Sequence, residues 1–195
     1  MRAPRPGDVA ELRALLMRNA DHLRPWSPSP PPGTNPLLVA ELSRSISRQR
    51  REWKDGLSYI FLAELGASGG PVVGRIALTS VTRGPFQNAH LGYWIDVAHT
   101  GQGLATEAVS LALAFAFDRL LLHRLQAAVM PHNQASRRIL LKRKFREEGF
   151  ARRYLCIAGR WEDHLLYGLT LEEWREAEGV KGPARGEARS KPLAL

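Results

Sequence analysis

The sequence predicts a mixed domain: a sheet of about six strands with helices packed on it, α/β or α+β with a single crossover unit. Three observations predict it. Of 195 residues, 44% are hydrophobic and 24% charged, which is ordinary for a globular chain and enough to build a core. Apolar residues fall into helical and strand-like segments in the order helix, helix, strands, strand–helix–strand–helix, hairpin. One segment, Gly103 to about Arg119, has a polar stripe made only of Thr106, Glu107, Ser110 and Asp118. A helix with so narrow a stripe is mostly buried against a sheet face.

The other elements follow in chain order. Asp8 is placed to cap a first helix, with Glu11 as capping-box partner and Val9, Leu12, Leu15, Leu16 and Leu23 as the apolar stripe. The run Pro25-Trp-Ser-Pro-Ser-Pro-Pro-Pro-Gly-Thr-Asn-Pro36 excludes regular structure, and a buried Trp26 would anchor it as a loop on the domain. Leu37 to Trp53 reads as a second helix carrying Leu38, Leu42, Ile46 and Trp53. Leu57 to Leu65 and Val72 to Val81 read as a hairpin across the turn Gly66-Ala-Ser-Gly-Gly-Pro71. Ala89 to Val97 is a third strand, leading into the buried helix. Arg124 to Val129 is a short strand, and Gln134 to Lys144 a helix with Ala135, Ile139 and Leu140 inward. Phe150 to Ile157 and Trp161 to Thr170 form a closing hairpin across Ala158-Gly159, and Leu171 to Glu178 adds a last turn or two of helix. The domain is expected over residues 1–176, and the Gly-, Ala-, Pro- and Arg-rich residues 177–195 are expected to be a disordered basic tail.

Composition excludes several classes. A single cysteine, Cys156, rules out an internal disulfide framework and a Cys-rich zinc site, and it fits a reducing, cytoplasmic setting. No apolar run reaches the ~18–20 residues of a membrane span; the longest, Leu111 to Leu122, is cut by Asp118 and Arg119. Met1-Arg-Ala-Pro-Arg-Pro6 has no apolar stretch behind its charges and is not read as a signal peptide. The net charge is +9, and eight basic residues lie between Arg137 and Arg153, opposed only by Glu147 and Glu148. Nucleic acid, an anionic surface or a small polyanion such as a nucleotide cofactor would each explain this charge, and a solvated helix face reads the same.

Chemistry concentrates in Trp94-Ile-Asp-Val-Ala-His-Thr-Gly-Gln-Gly-Leu-Ala-Thr-Glu107. A strand enters a short loop holding Gly101 and Gly103, and the loop opens the buried helix. A helix N-terminus offers unpaired N–H groups and the positive end of the dipole, and glycines let a ligand approach that backbone closely. Together they suit a phosphate or pyrophosphate. A tight turn using glycine for conformation alone has the same spacing. The ATPase loop Gly-x4-Gly-Lys-Ser/Thr does not occur, and the dinucleotide pattern Gly-x-Gly-x-x-Gly/Ala meets Thr106 at its third small position.

The segment Gly92-Tyr-Trp-Ile-Asp-Val-Ala-His-Thr-Gly-Gln-Gly-Leu-Ala-Thr-Glu-Ala-Val109 resembles the acetyl-CoA-binding motif of the GNAT N-acetyltransferase superfamily. It is most similar to the RimJ/RimL type, the ribosomal-protein N-terminal alanine acetyltransferases. Asn19-Ala-Asp-His-Leu-Arg-Pro-Trp26 resembles that group's early loop. Asn133-Gln-Ala-Ser136 with Phe145 and Glu148-Gly149 resembles its Asn-x-x-Ser segment, and Trp161-Glu-Asp163 with Leu171-Glu-Glu-Trp174 its ending. The likeness extends over residues 7–175. There are departures. Thr100 stands where the superfamily loop carries a basic or amide residue, Lys142-Arg-Lys-Phe145 stands for Lys-x-Gly-Phe, and residues 1–7 are too short and proline-rich for a full first strand.

The resemblance implies a single GNAT-like domain with a mixed, mostly antiparallel twisted sheet and helices on both faces. It implies acetyl transfer from acetyl-CoA to a primary amine without a metal, most specifically to the N-terminal α-amine of a protein such as a ribosomal protein. The strand Gly92–Val97 would splay from Arg124–Val129, and a backbone N–H near Val97 would polarise the thioester. Ile95, Val97, Gln102, Gly103, Leu104, Ala105, Thr106, Asn133 and Ser136 would contact the cofactor, and Lys142 or Arg143 its ribose phosphate. Ser136 would protonate the departing thiolate. Asp96, Glu64 and His90 are candidates for the base, although a histidine at a strand start is more often structural. Trp26, Trp94 and Tyr154, with Tyr93, would line the acceptor pocket.

Two other readings remain open at this point. One is a GNAT enzyme acting on a small-molecule amine, an antibiotic or a metabolite, with the same cofactor residues. The other is a non-enzymatic basic domain binding RNA or ribosomes through Arg137–Arg153. A basic surface would equally let an enzyme associate with the ribosome, as a monomer or a homodimer, and no membrane contact is expected.

Overall fold

The computed structural model describes residues 1–28, 30, 33–66 and 69–179, so most of the expected basic tail lies outside the described residues. Its six strands form one sheet, β1 (Tyr59–Glu64), β2 (Val72–Thr82), β3 (Asn88–Ile95), β4 (Arg124–Val129), β5 (Arg146–Ile157) and β6 (Arg160–Thr170). The spatial order is β1-β2-β3-β4-β6-β5, and β3 with β4 is the parallel pair among antiparallel neighbours. That parallel pair needs a crossover, which the helix α4 (Leu104–Ala114) supplies. The expected mixed, mostly antiparallel sheet is thus present.

Helices cover both faces. On one, Val109, Ala112 and Leu113 of α4 are buried against Ile76, Leu78, Leu91, Leu125 and Leu169. The helix α5 (Gln134–Lys142) joins them through Leu140. On the other face, α1 (Val9–Arg18) and α3 (Val39–Lys54) bury Leu12, Leu15 and Ile46 against Leu62 and Val72. A four-residue helix, α2 (Ala20–Leu23), follows α1, and α6 (Leu171–Ala177) docks Trp174 on Phe117. The sheet's two-sided burial explains why β1 and the first half of β2 read as nearly continuous apolar runs rather than alternating ones.

Several local expectations are corrected. The Asp8–Glu11 capping box does not form. Asp8 instead accepts from Arg5 N–H at 2.6 Å and from Arg2, while Glu11 accepts from the Val72 amide at 2.7 Å and ties α1 to β2. The segment expected as one helix to Arg119 is α4 to Ala114 followed by a wider π turn, Phe115–Arg119. Phe115 there joins the aromatic cluster of Trp53, Tyr59 and Phe61. In the N-terminal segment Arg2 alone bridges to Leu62, which agrees with a first strand too short to form. The missing glycine of the Lys142-Arg-Lys-Phe145 stretch is replaced without loss of the turn. Lys144 itself takes the left-handed conformation, φ +66°, and Lys144 and Phe145 donate to the carbonyls of Leu141 and Leu140, closing α5 in a Schellman arrangement.

Candidate active site

The site begins where β3 and β4 part. Their register runs Asn88–Arg124, Ala89–Leu125, His90–Gln126 and stops there. Beyond it β3 continues to Ile95 against β2, and β4 continues to Val129 against β6. The facing edges of residues 91–95 and 127–129 therefore have no strand partner, and a gap opens in the sheet. Asp96 N–H donates to Val73 on the β2 side. Successive N–H groups of a strand point to alternate edges, so the Ile95 amide points into the gap.

At the end of β3 the chain makes a 3-10 turn, Val97–His99, and then the loop to α4. Gly101 and Gly103 hold φ of +78° and +82°, a conformation that an L side chain resists. The first intrahelical bond of α4 is Glu107 N–H to Gly103. Among the described residues, the amides of Gly101 through Thr106 meet no hydrogen-bond acceptor. These donors and the positive dipole end of α4 converge at the mouth of the gap, and a Cβ on Gly103 would stand in open space. Gln102, Gly103, Leu104, Ala105 and Thr106 are thus together, as the sequence suggested.

The loop is anchored by residues that sequence reasoning overlooked. Asn19, fully buried between α1 and α2, donates from Nδ2 to Leu15 O at 2.8 Å and to Asp96 Oδ1 at 2.9 Å. Its Oδ1 accepts from the Val97 amide at 2.8 Å. Arg18 donates to Asp96 Oδ2 from Nε at 2.9 Å and from Nη2 at 2.6 Å. Two expectations change here. The Val97 amide is already bonded, so it is not the donor for a thioester oxygen. Burial pushes the Asp96 carboxyl up, but the hydrogen bonds from Arg18 and Asn19 outweigh it and hold it down at about 2. A carboxylate so held is a poor proton acceptor. Asp96 is a clamp for the loop, not a base. Asn19 lies in the stretch that carried the family likeness, but its partners Asp96 and Val97 are brought to it only by the tertiary fold.

Across the gap, α5 presents Asn133 and Ser136. Asn133 Oδ1 accepts from the Ser136 amide at 3.1 Å and caps the helix. Ser136 Oγ lies 3.0 Å from the Tyr93 hydroxyl, joining β3 to α5 across the gap. Burial pushes the Tyr93 phenol up to about 12, the Ser136 hydrogen bond offsetting part of this, so it keeps its proton at any physiological pH. Arg143 donates to Ser110 Oγ at 2.7 Å and lies over α4, with its buried Nε unpartnered among the described residues. Lys142 is exposed.

On the opposite face, at the fork, a cavity of about 60 Å³ is lined by His90, Gln126, Ala128, Tyr154 and Leu166, with Ala127 and Tyr167. The Trp26 ring lies 5.2 Å from that of His132, tilted by 42°, just before α5, and Pro28 bridges to Ile157 at the end of β5. Tyr154 lines this cavity, whereas Trp26 is placed beside His132 and is not among its lining residues. Nor is Trp94: its ring packs on the Leu12, Leu15 and Ile46 cluster, because α1 and α3 cover that end of β3. Glu64 is held by Arg2 at 2.7 Å. Among the described residues no His/Cys/Asp/Glu group is arranged to hold a metal, and no helix is long and apolar enough to cross a membrane.

Comparison with known proteins agrees with this fold. The acetyltransferase (GNAT) domain model matches residues 1–146. The Escherichia coli [ribosomal protein uS5]-alanine N-acetyltransferase is 38% identical over 103 residues, 53% of this chain and 53% of that protein. The aligned stretch thus spans just over half the length of the first curated relatives. Among solved structures, Mycobacterium smegmatis RimJ in complex with CoA-disulfide superposes with a TM-score of 0.83 at 34% identity, covering 92% of this chain and 88% of that one. The ribosomal-protein-S5-alanine acetyltransferase from Vibrio fischeri gives 0.81 at 29%, covering 89% and 93%. A parted parallel strand pair, a loop of unpaired amides at a helix start, and a family match across three-quarters of the chain lead to one conclusion: this protein belongs to the GNAT acetyltransferase family.

Proposed function

We propose that this chain transfers the acetyl group of acetyl-CoA to a primary amine, specifically the N-terminal α-amine of a protein such as a ribosomal protein. The observation that carries the first half is the gap beyond His90–Gln126, which leads directly to the unbonded amides of residues 101–106. A pantetheine arm fits an unpaired strand edge, and a pyrophosphate fits those amides. The choice of a protein α-amine rests on the uS5- and S5-alanine acetyltransferase relatives. Such an amine has a reference pKa of ~7.7–8.0, so a useful fraction is neutral at pH 7 and ready to attack.

Acetyl-CoA supplies the activated acyl group; the chain's residues orient it and manage protons. The backbone of Ile95 aligns the arm along β3. Gln102 to Thr106 hold the pyrophosphate, and Lys142 with Arg143 adds positive charge beside α4. Ser136 protonates the leaving thiolate, with the Tyr93 phenol holding its Oγ in place. Tyr154 borders the acceptor's approach from the other face, where a protein N-terminus would enter, and Trp26 would flank it. The exposed Arg138, Arg152 and Arg153 favour an acceptor carried on an anionic particle such as the ribosome.

A thiol-release assay tests this against peptides with free N-terminal Ala or Ser, polyamines and aminoglycosides. Transfer to the peptides is expected. Transfer confined to polyamines or aminoglycosides would replace the acceptor class, and release with none of them would remove the proposal. Ser136→Ala should lower kcat while leaving acetyl-CoA affinity near the wild-type value.

A further inference from the structure

We infer that His90 is the general base, taking the proton from the acceptor nitrogen as the new amide bond forms. The inference rests on the acetyltransferase reading above and names a residue that reading does not need. Three side chains could serve as base by their chemistry and place in the sequence. Two are committed elsewhere, Asp96 to Arg18 and Asn19, and Glu64 to Arg2. His90 is different on three counts. It belongs to the last residue pair before β3 and β4 separate, so its ring stands at the fork where the reacting carbon would lie. It lines the cavity on the acceptor face together with Gln126 and Tyr154. It carries no side-chain hydrogen bond or ion pair to another described residue.

The division of the sheet gives the two proton-handling groups opposite faces. In β3, Tyr93 packs with the α4 and α5 side, where it meets Ser136, whereas His90 opens to the cavity on the other side. An amine entering by that cavity attacks from the His90 face, and the sulfur departs toward the Ser136 face. The balance is closed. The N–C bond forms and the C–S bond breaks; one nitrogen proton passes to the imidazole, and the thiolate takes one from Ser136 Oγ, which is reprotonated from solvent as the imidazolium discharges to it. No other reactant is needed.

The environment suits the task. Burial lowers the His90 imidazole from its ordinary value, so the ring is neutral and able to accept a proton at pH 7. The other titratable groups of the cavity are Tyr154 from β5 and Tyr167 from β6; β4 contributes Gln126, and no carboxylate, lysine or arginine is among the lining residues. Behind them, His164 lies 5.6 Å from Tyr154, ring to ring, and Arg137 and Glu147 meet the Tyr167 hydroxyl. A neutral imidazole is too weak to strip a free ammonium efficiently. It is strong enough for the nitrogen once bond formation has made its proton acidic, and it then releases that proton to water at the cavity mouth.

The experiment compares wild type, His90→Gln and His90→Phe, using acetyl-CoA and a short peptide with N-terminal Ala. Melting temperature with and without acetyl-CoA reports folding and cofactor binding. Both variants should keep the acetyl-CoA-induced shift, and kcat should fall on the order of 100-fold. The acid limb of the wild-type kcat–pH profile should disappear in His90→Gln. Independently of turnover, imidazole NMR of wild type with CoA bound should show the His90 resonance moving when the peptide is added. A variant retaining wild-type kcat and its acid limb, or a His90 resonance indifferent to the peptide, overturns this inference and leaves the acetyltransferase reading standing. Wild type that transfers to no amine in the panel removes that reading, and the base with it.

Discussion

Replacing Asn19 with Ala is the most demanding test of how the site is built. Asn19 makes three hydrogen bonds from a fully buried position: to Leu15 O, to Asp96 Oδ1 and from the Val97 amide. A neutral buried hydrogen bond contributes ~1 kcal/mol, one to a charged group ~1.5–3, and groups left unpaired retain their desolvation cost. The sum is a loss of about 4 kcal/mol, or a drop in Tm of roughly 8–16 °C for a chain of this size. The same change frees the turn Val97–His99 from α1, so the loop amides are no longer held in one arrangement. Acetyl-CoA affinity should weaken about tenfold, equivalent to ~1.4 kcal/mol. Urea unfolding and calorimetric titration measure the two quantities. Asn19→Asp separates hydrogen bonding from packing, because it keeps the shape but sets a second carboxylate against Asp96. It should destabilise at pH 7 at least as much as Ala and recover as the pH falls toward 4. If Asn19→Asp is as stable as wild type, or Asn19→Ala costs under ~1 kcal/mol, the clamp does not exist as described.

Three further outcomes are expected. Lys144→Gly removes a left-handed L residue at φ +66° and should raise stability by about 1 kcal/mol, seen as a Tm higher by ~2–4 °C; an unchanged Tm would mean that Lys144 is not strained. Gly103→Val places a side chain in the open space before the α4 amides, at φ +82°, and should abolish the acetyl-CoA-induced thermal shift; retained binding would move the pyrophosphate elsewhere. The depressed Asp96 carboxyl, at about 2 against 3.8, gives stability that is present above pH ~4 and lost as the pH falls through 2, about 2 kcal/mol in all. Asp96→Asn should flatten that acid limb in pH-dependent unfolding, and an identical limb would assign it to other carboxylates.

Local patterning made much of the architecture legible. The short strand at 124–129 is legible to the residue, and the polar stripe of Thr106, Glu107 and Ser110 marks α4 as buried, because both signals are carried by residues close together in the chain. Element ends were less legible. The capping box at Asp8 failed because Arg2 and the Arg5 amide compete for the same carboxylate. The π turn at Phe115 follows from aromatic packing against Trp53, Tyr59 and Phe61, which local sequence does not encode.

The candidate site divides in the same way. The sequence by itself determined the glycine loop and the helix it opens, since a helix start with glycines before it needs only residues that are neighbours in the chain. Only the tertiary structure decided which candidates are chemically free. Asp96 and Val97 belong to Asn19 and Arg18, more than seventy positions away. Trp94 belongs to the core beneath α1 and α3, while His90 is left facing a cavity. Whether a polar group is available depends on partners that folding brings to it from distant segments, and no local pattern records them.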